Sequence, residues 1–121
     1  KEMVDNYFSE KEIVLTTSYE KIGDVIELQV HMSNYSAGGI KNCKLVPEYN
    51  SSNLSLIGIE PDVFYSFTDN TFIVGDIDSY NEVAFQVKFQ MKVAGASPLE
   101  IKMNYEQKGR KSVANSLLEI I

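Results

Sequence analysis

The chain has 121 residues, 44% hydrophobic and 23% charged, with a formal net charge of -6 and a single cysteine, Cys43. This length carries one hydrophobic core without staples, and the apolar share is that of a chain that folds. The acidic balance, with Lys and Arg scattered singly, excludes the clustered cations of a nucleic-acid surface. The longest apolar run is too short to span a bilayer, and no charged-then-apolar leader opens the chain, so this segment inserts into no membrane. One cysteine permits no intrachain disulfide and leaves the compartment, cell surface or cytoplasm, to whatever flanks the chain. A start at Lys1 in place of methionine points to a piece of a longer protein. Composition decides nothing about oligomeric state.

Residues 1–12 mix charge with Val4, Tyr7 and Phe8 without a period and read as a linker or N-terminal appendage. The domain occupies residues 13–121. Its first strand is expected at Ile13 to Tyr19, followed by a turn over Glu20, Lys21, Gly23 and Asp24. The second, Val25 to Ser33, alternates Ile26, Leu28, Val30 and Met32 against Glu27, Gln29 and His31, and should neighbour the first. Asn34 to Gly39 is rich in residues that tolerate positive φ and turns the chain into a third strand, Ile40 to Tyr49. Pro47 donates no ladder bond, which puts it at an edge, a bulge or a strand end, and it reads with the neighbouring lysines as an edge guard.

Leu54 to Ile59 is a short fourth strand, bounded by Gly58 and Pro61. Asp62 to Asn70 lacks alternation and reads as a connection crossing between sheets. Thr71 to Val74 is a fifth strand closed by Gly75. The clearest pattern follows in Glu82 to Val93, where Val83, Phe85, Val87, Phe89, Met91 and Val93 share one side and Glu82, Ala84, Gln86, Lys88, Gln90 and Lys92 the other. Such a period of two marks a strand with one buried face. Leu99 to Tyr105 repeats it, and Gly109 in Gln107 to Arg110 supplies the left-handed position of a hairpin turn. Lys111 to Ile121 pairs back, though Val113, Leu117, Leu118, Ile120 and Ile121 break the period and leave a bulge or a final helical turn open. No usable helix is predicted. The chain is all-β, a two-sheet antiparallel sandwich of about seven or eight strands.

Val30-His31-Met32-Ser33-Asn34-Tyr35-Ser36 resembles the V-x-V-x-N-x-S/G strand of immunoglobulin-like conserved-repeat and cell-adhesion-related domains of archaeal and bacterial surface proteins. Gly75-Asp76-Ile77-Asp78-Ser79-Tyr80-Asn81-Glu82 stands where those domains carry G-x-L-x-P-G-E, with Ser79-Tyr80-Asn81 in place of the usual Pro-Gly. In that likeness the Asn ends a strand and caps a loop, and the Gly opens a tight turn between sheets. The resemblance covers Ile13 to about Ile120 and implies an immunoglobulin-like fold rather than a chemistry. A second stretch, Leu99 to Gly109, is similar to the end of the ear domain of clathrin-adaptor subunits, which implies binding of aromatic-acidic peptides by cations such as Lys102, Lys108, Arg110 and Lys111.

His31 is the only histidine. A triad or a zinc site would have to join it to Cys43, yet strand phase turns His31 outward and Cys43 inward beside Leu45. Both read as structural. Asp24, Asp62, Asp69, Asp76, Asp78 and Glu82 stand in predicted loops, where Ca²⁺ draws its oxygens, but solvated turn acids account for them equally, and no metal or cofactor is assigned. Sequons at Asn34, Asn50 and Asn53 read as loop composition.

Tyr35, Tyr49, Phe64, Tyr65, Phe67 and Tyr80 lie in or beside predicted loops, which in such sandwiches gather at the two ends. They either plug those ends or contact a partner, and the larger energy of aromatic burial favours plugging. Tyr35, Tyr65 and Tyr80, with Lys102 and Arg110, are the candidate interaction residues, and the tyrosines would equally serve as stacking platforms for a carbohydrate. The reading is a non-catalytic interaction or spacer module of a larger prokaryotic, by its likeness archaeal, protein, with a protein or peptide partner. An ear-like peptide-binding domain and a carbohydrate-binding module are the alternatives.

Overall fold

A computed structural model describes residues 12–60 and 71–121, and the backbone of residues 64–66. The expectation for residues 1–11 lies outside the described residues. Nine strands form among those described: β1 (Ile13–Ile22), β2 (Val25–Asn34), β3 (Ile40–Tyr49), β4 (Leu54–Glu60), β5 (Phe64–Ser66), β6 (Thr71–Ile77), β7 (Glu82–Met91), β8 (Ser97–Gln107) and β9 (Arg110–Ile120). They make a four-stranded sheet in the order β1-β2-β7-β4 and a five-stranded sheet in the order β5-β6-β3-β8-β9, with every pairing antiparallel. The chain is an all-β sandwich.

Alternation explains why the two sheets face each other. Ile26, Leu28, Val30 and Met32 of β2, Phe85, Val87 and Phe89 of β7, Cys43 and Leu45 of β3, and Leu99, Ile101 and Met103 of β8 are buried at every second position and meet in one core. Their partners on the same strands, such as Gln29, His31 and Asn104, face solvent. Tyr49 of one sheet meets Phe89 of the other edge to face, ring centroids 5.0 Å apart at 74°.

Two turns follow local chemistry. Gly23 (φ 62) heads the two-residue turn between Ile22 and Val25. Lys108 (φ 53) and Gly109 (φ 75) together form the turn of the β8–β9 hairpin with two successive positive φ values, the type I′ pattern.

Several expectations change. Glu20 and Lys21, read as turn, belong to β1, which runs to Ile22 opposite Val25, and Val93, read on the buried side of the long strand, lies beyond the end of β7 and is exposed. Residues 64–66 form a strand on β6, where the sequence pointed only to a connection. The last strand is regular to Ile120 with an unbroken register against β8, and carries neither bulge nor helical turn. Its period was obscured because Val113, Leu117 and Ile121 are apolar yet exposed, opposite the inward Leu118 and Ile120. Gly75 closes no strand: β6 runs through it to Ile77, and its positive φ accommodates the irregular register opposite Cys43, where Asn42 also takes a positive φ. Finally, β3 is an interior strand between β6 and β8, so Pro47 guards no edge. On its β8 side Pro47 stands opposite Ile101.

The packing makes a sharp contrast between neighbours on β7. Phe89→Ala should cost about 3–5 kcal/mol in a denaturant titration, because it empties the centre of the core, while Lys88→Ala should stay within about 0.5 kcal/mol.

Candidate functional site

One end of the sandwich is organised by Asn34, the last residue of β2, which is wholly buried. Its side-chain amide donates to the carbonyls of Gly38 (2.9 Å), Ile77 (3.1 Å) and Asp78 (3.2 Å). Its Oδ1 accepts from the backbone N–H of Ser36 at 2.9 Å and from the Ser36 hydroxyl. A single residue thereby ties the β2–β3 loop to the β6–β7 loop. Ser79 Oγ donates to Ser36 O, Asn34 N donates to Asn81 O, and Gln107 Nε2 donates to Ser36 Oγ at 2.8 Å, which brings the β8–β9 hairpin to the same end. Tyr35 N donates to Glu12 O. With both lone pairs and both hydrogens engaged, Asn34 is a structural anchor and no glycan acceptor.

These bonds hold two tyrosines outward. Tyr35 is 59% exposed and Tyr80 is 71% exposed, on the two loops that Asn34 fastens together. Tyr80 has φ 61 and is the third residue of a turn closed by Asn81 N donating to Asp78 O. With Ser79 at negative φ, that is the position of a type II turn where glycine is normally found. A bulky residue there costs roughly 1 kcal/mol of backbone strain, and 71% exposure leaves it little burial in return.

Of the other candidates, Arg110 opens β9 beside Lys108 and Lys111, exposed at the hairpin tip that Gln107 docks against Ser36. Lys102 lies apart from this group, mid-strand opposite Asn115, and pairs with Glu48 at 3.2 Å. The backbone of Tyr65 lies in β5, on the far side of the five-stranded sheet from β9. The four cations of the ear-like stretch therefore do not form one patch. Tyr49 is a packed plug between the sheets, whereas Tyr35 and Tyr80 are not. The side chains of Phe64, Tyr65 and Phe67 lie outside the described residues.

His31 and Cys43 are kept apart by the fold. His31 faces solvent on the outer surface of its sheet, 3.6 Å from Glu82, which also accepts from Ser33. Cys43 is buried in the core, and burial, with a smaller contribution from Asp76, pushes its thiol up to about 11. A thiol held that firmly protonated is a poor nucleophile and a poor soft ligand. Of the loop acids weighed as oxygen donors for Ca²⁺, Asp76 accepts from Asn42 N and Glu82 faces His31, while Asp62 and Asp69 lie outside the described residues. Among the described residues no group of three acids, cysteines or histidines could hold a metal ion.

A concave feature lies beside the outer strand β4. A groove of about 470 Å³ runs along β4, lined by Leu54, Leu56, Ile57 and Ile59 and, from the facing sheet, Tyr49 and Phe72. Sequence reasoning missed it, because the gap between two sheet edges depends on topology rather than on any local pattern.

No protein-family model and no curated protein matches the sequence. Solved structures do. The chain superimposes on a yeast GGA1 GAE domain with a TM-score of 0.61 at 15% identity, covering 91% of each chain. It is similar to the Fcho1 Mu homology domain of Danio rerio, solved with a bound Eps15 peptide, with a TM-score of 0.59 at 10% identity over 91% of this chain and 44% of that one. A type I cohesin of ScaB from Pseudobacteroides cellulosolvens gives a TM-score of 0.57 at 14% identity, covering 87% of this chain and 88% of that one. At these identities the likeness establishes the sandwich fold.

If Tyr80 is held at a conformational cost, relieving it should stabilise the protein. Tyr80→Gly is expected to raise the unfolding free energy by about 1 kcal/mol in urea titration, whereas Tyr35→Gly, on a backbone without positive φ, should lower it or leave it unchanged.

Proposed function

We propose that this domain is a non-catalytic interaction module that engages a protein or peptide partner through the end carrying Tyr35, Tyr80 and Arg110. The observation that carries this reading is the pair of outward tyrosines on loops locked by the buried Asn34 network, one of them at a glycine-type backbone position. Rigid aromatic side chains are effective anchors because little entropy remains to be lost when a partner covers them. Beside them, Lys108, Arg110 and Lys111 give this end a basic rim on an otherwise acidic chain, which favours a segment that combines carboxylates with apolar or aromatic residues. The strand-closing Asn34, and a turn before β7 in the place of the usual Pro-Gly turn, resemble repeat modules of archaeal and bacterial surface proteins. They support placing the domain as one unit of a larger protein of that kind.

The test is an NMR titration with acidic, aromatic-containing peptides. Micromolar binding should shift the amides of residues 34–36, 79–81 and 107–111, and Tyr35→Ala combined with Tyr80→Ala should weaken it by about tenfold or more. Absence of shifts across the peptide set, or shifts that ignore both tyrosines, would overturn the assignment. Saturable binding of glycans by Tyr35 and Tyr80 would transfer the same site to carbohydrate recognition.

A further inference from the structure

The two flanks of the sandwich are finished differently. On one, β1 and β9 lie side by side and are stitched by side chains: Thr17 Oγ1 lies 2.6 Å from Ser116 Oγ, Tyr19 Oη donates to Glu119 O and accepts from Ile121 N, and Lys21 Nζ reaches Ile121 O. Those bonds occupy backbone groups that an incoming strand would need. On the other flank β4 ends its sheet, paired through one edge to β7. Its sequence, LSLIGIE, contains none of the lysines or prolines that usually discourage strand addition. Its one irregularity is the register shift between Leu56 and Gly58, at Ile57, which is 52% exposed.

We infer that β4 is the seam of a two-fold dimer, in which the four-stranded sheets of two copies join edge to edge. The charge arrangement favours a second copy of this chain as the occupant. Among the described residues Lys92 is the only charged one lining the β4 groove, near the Leu54 end, where Lys92 N donates to Asn53 O and Lys92 Nζ donates to Ser51 O. Glu60 stands at the other end of the strand. The shift at Ile57 reverses the side-chain phase, with Leu56 opposite Phe89 and Ile59 opposite Val87 on the inner face. Antiparallel self-pairing centred between Ile57 and Gly58 therefore sets Leu56 against the partner's Ile59 and Ser55 against the partner's Glu60. Each Glu60 then approaches the Lys92 end of the other copy, so opposite charges meet at both ends of the seam and the two exposed Ile57 side chains flank its centre. The irregularities coincide at the two-fold, leaving regular strand on either side. The -6 charge of each copy opposes association, so the dimer is reversible rather than obligate.

Sedimentation velocity over about two decades of protein concentration tests this. The weight-average mass should climb from monomer toward dimer. Ile57→Lys should hold it at monomer, with far-UV circular dichroism confirming that this half-exposed substitution leaves the fold intact. Lys92→Glu should weaken the dimer by about tenfold, and Lys92→Glu combined with Glu60→Lys should restore it. A monomer at every concentration would overturn the inference. So would a dimer unaffected by Ile57→Lys but lost on Leu117→Lys, which would move the seam to the β9 face.

Discussion

The side chain of Asn34 is the constraint on which the candidate site depends. A carboxamide suits this position because it offers two donors and a two-lone-pair acceptor in one planar group, and the loop carbonyls of Gly38, Ile77 and Asp78 need donors while Ser36 needs an acceptor. Buried polar backbone is expensive when unpaired, so a loop can pass this close to the core only where such a partner exists. The consequence reaches the surface. Tyr35 and Tyr80 flank the residues that Asn34 holds, and their outward orientation is inherited from bonds made beneath them.

Strain and edge exposure point in the same direction. A tyrosine at positive φ gives up stability, and a hydrophobic edge without guards invites association, so both features run against what packing alone would select. They occur at different places: Tyr80 at one end, β4 along one flank. The opposite flank, where Tyr19 and Lys21 cap the carbonyls near the end of the chain, shows that this fold can close an edge. Among the described residues, one stitched flank, one β4 edge paired on a single side and one aromatic end are the features on which the proposed interactions rest.

The core was legible in the sequence because its strands are one-sided. Val87 and Phe89 inward with Lys88 between them follows from a period of two, and so do the β2 and β8 faces. Legibility failed where a residue type serves two physical ends. Positive φ is needed by turns and by bulges alike, so Gly75 read as a strand end when it accommodates an irregularity within β6. Proline lacks the N–H of a ladder donor and so suggests an edge, but Pro47 stands on an interior strand between β6 and β8. Exposed apolar residues on β9 blurred a regular alternation. At the site, Asn34 was readable as the end of a strand, but its acceptors at Ile77 and Asp78 lie more than forty residues away and only folding brings them together. Tyr80 was visible as a departure from Pro-Gly, and the backbone angle shows what that departure entails.

The most direct measurement is the unfolding free energy and amide exchange of Asn34→Asp, which keeps the shape of the side chain and removes its two donors. The carboxylate would face the Gly38, Ile77 and Asp78 carbonyls with nothing to donate, so the account predicts a loss of about 2–4 kcal/mol and faster exchange at Ser36 and Asn81 than in the β7 core. Stability within about 0.5 kcal/mol of the parent, with both loops still protected, would contradict it.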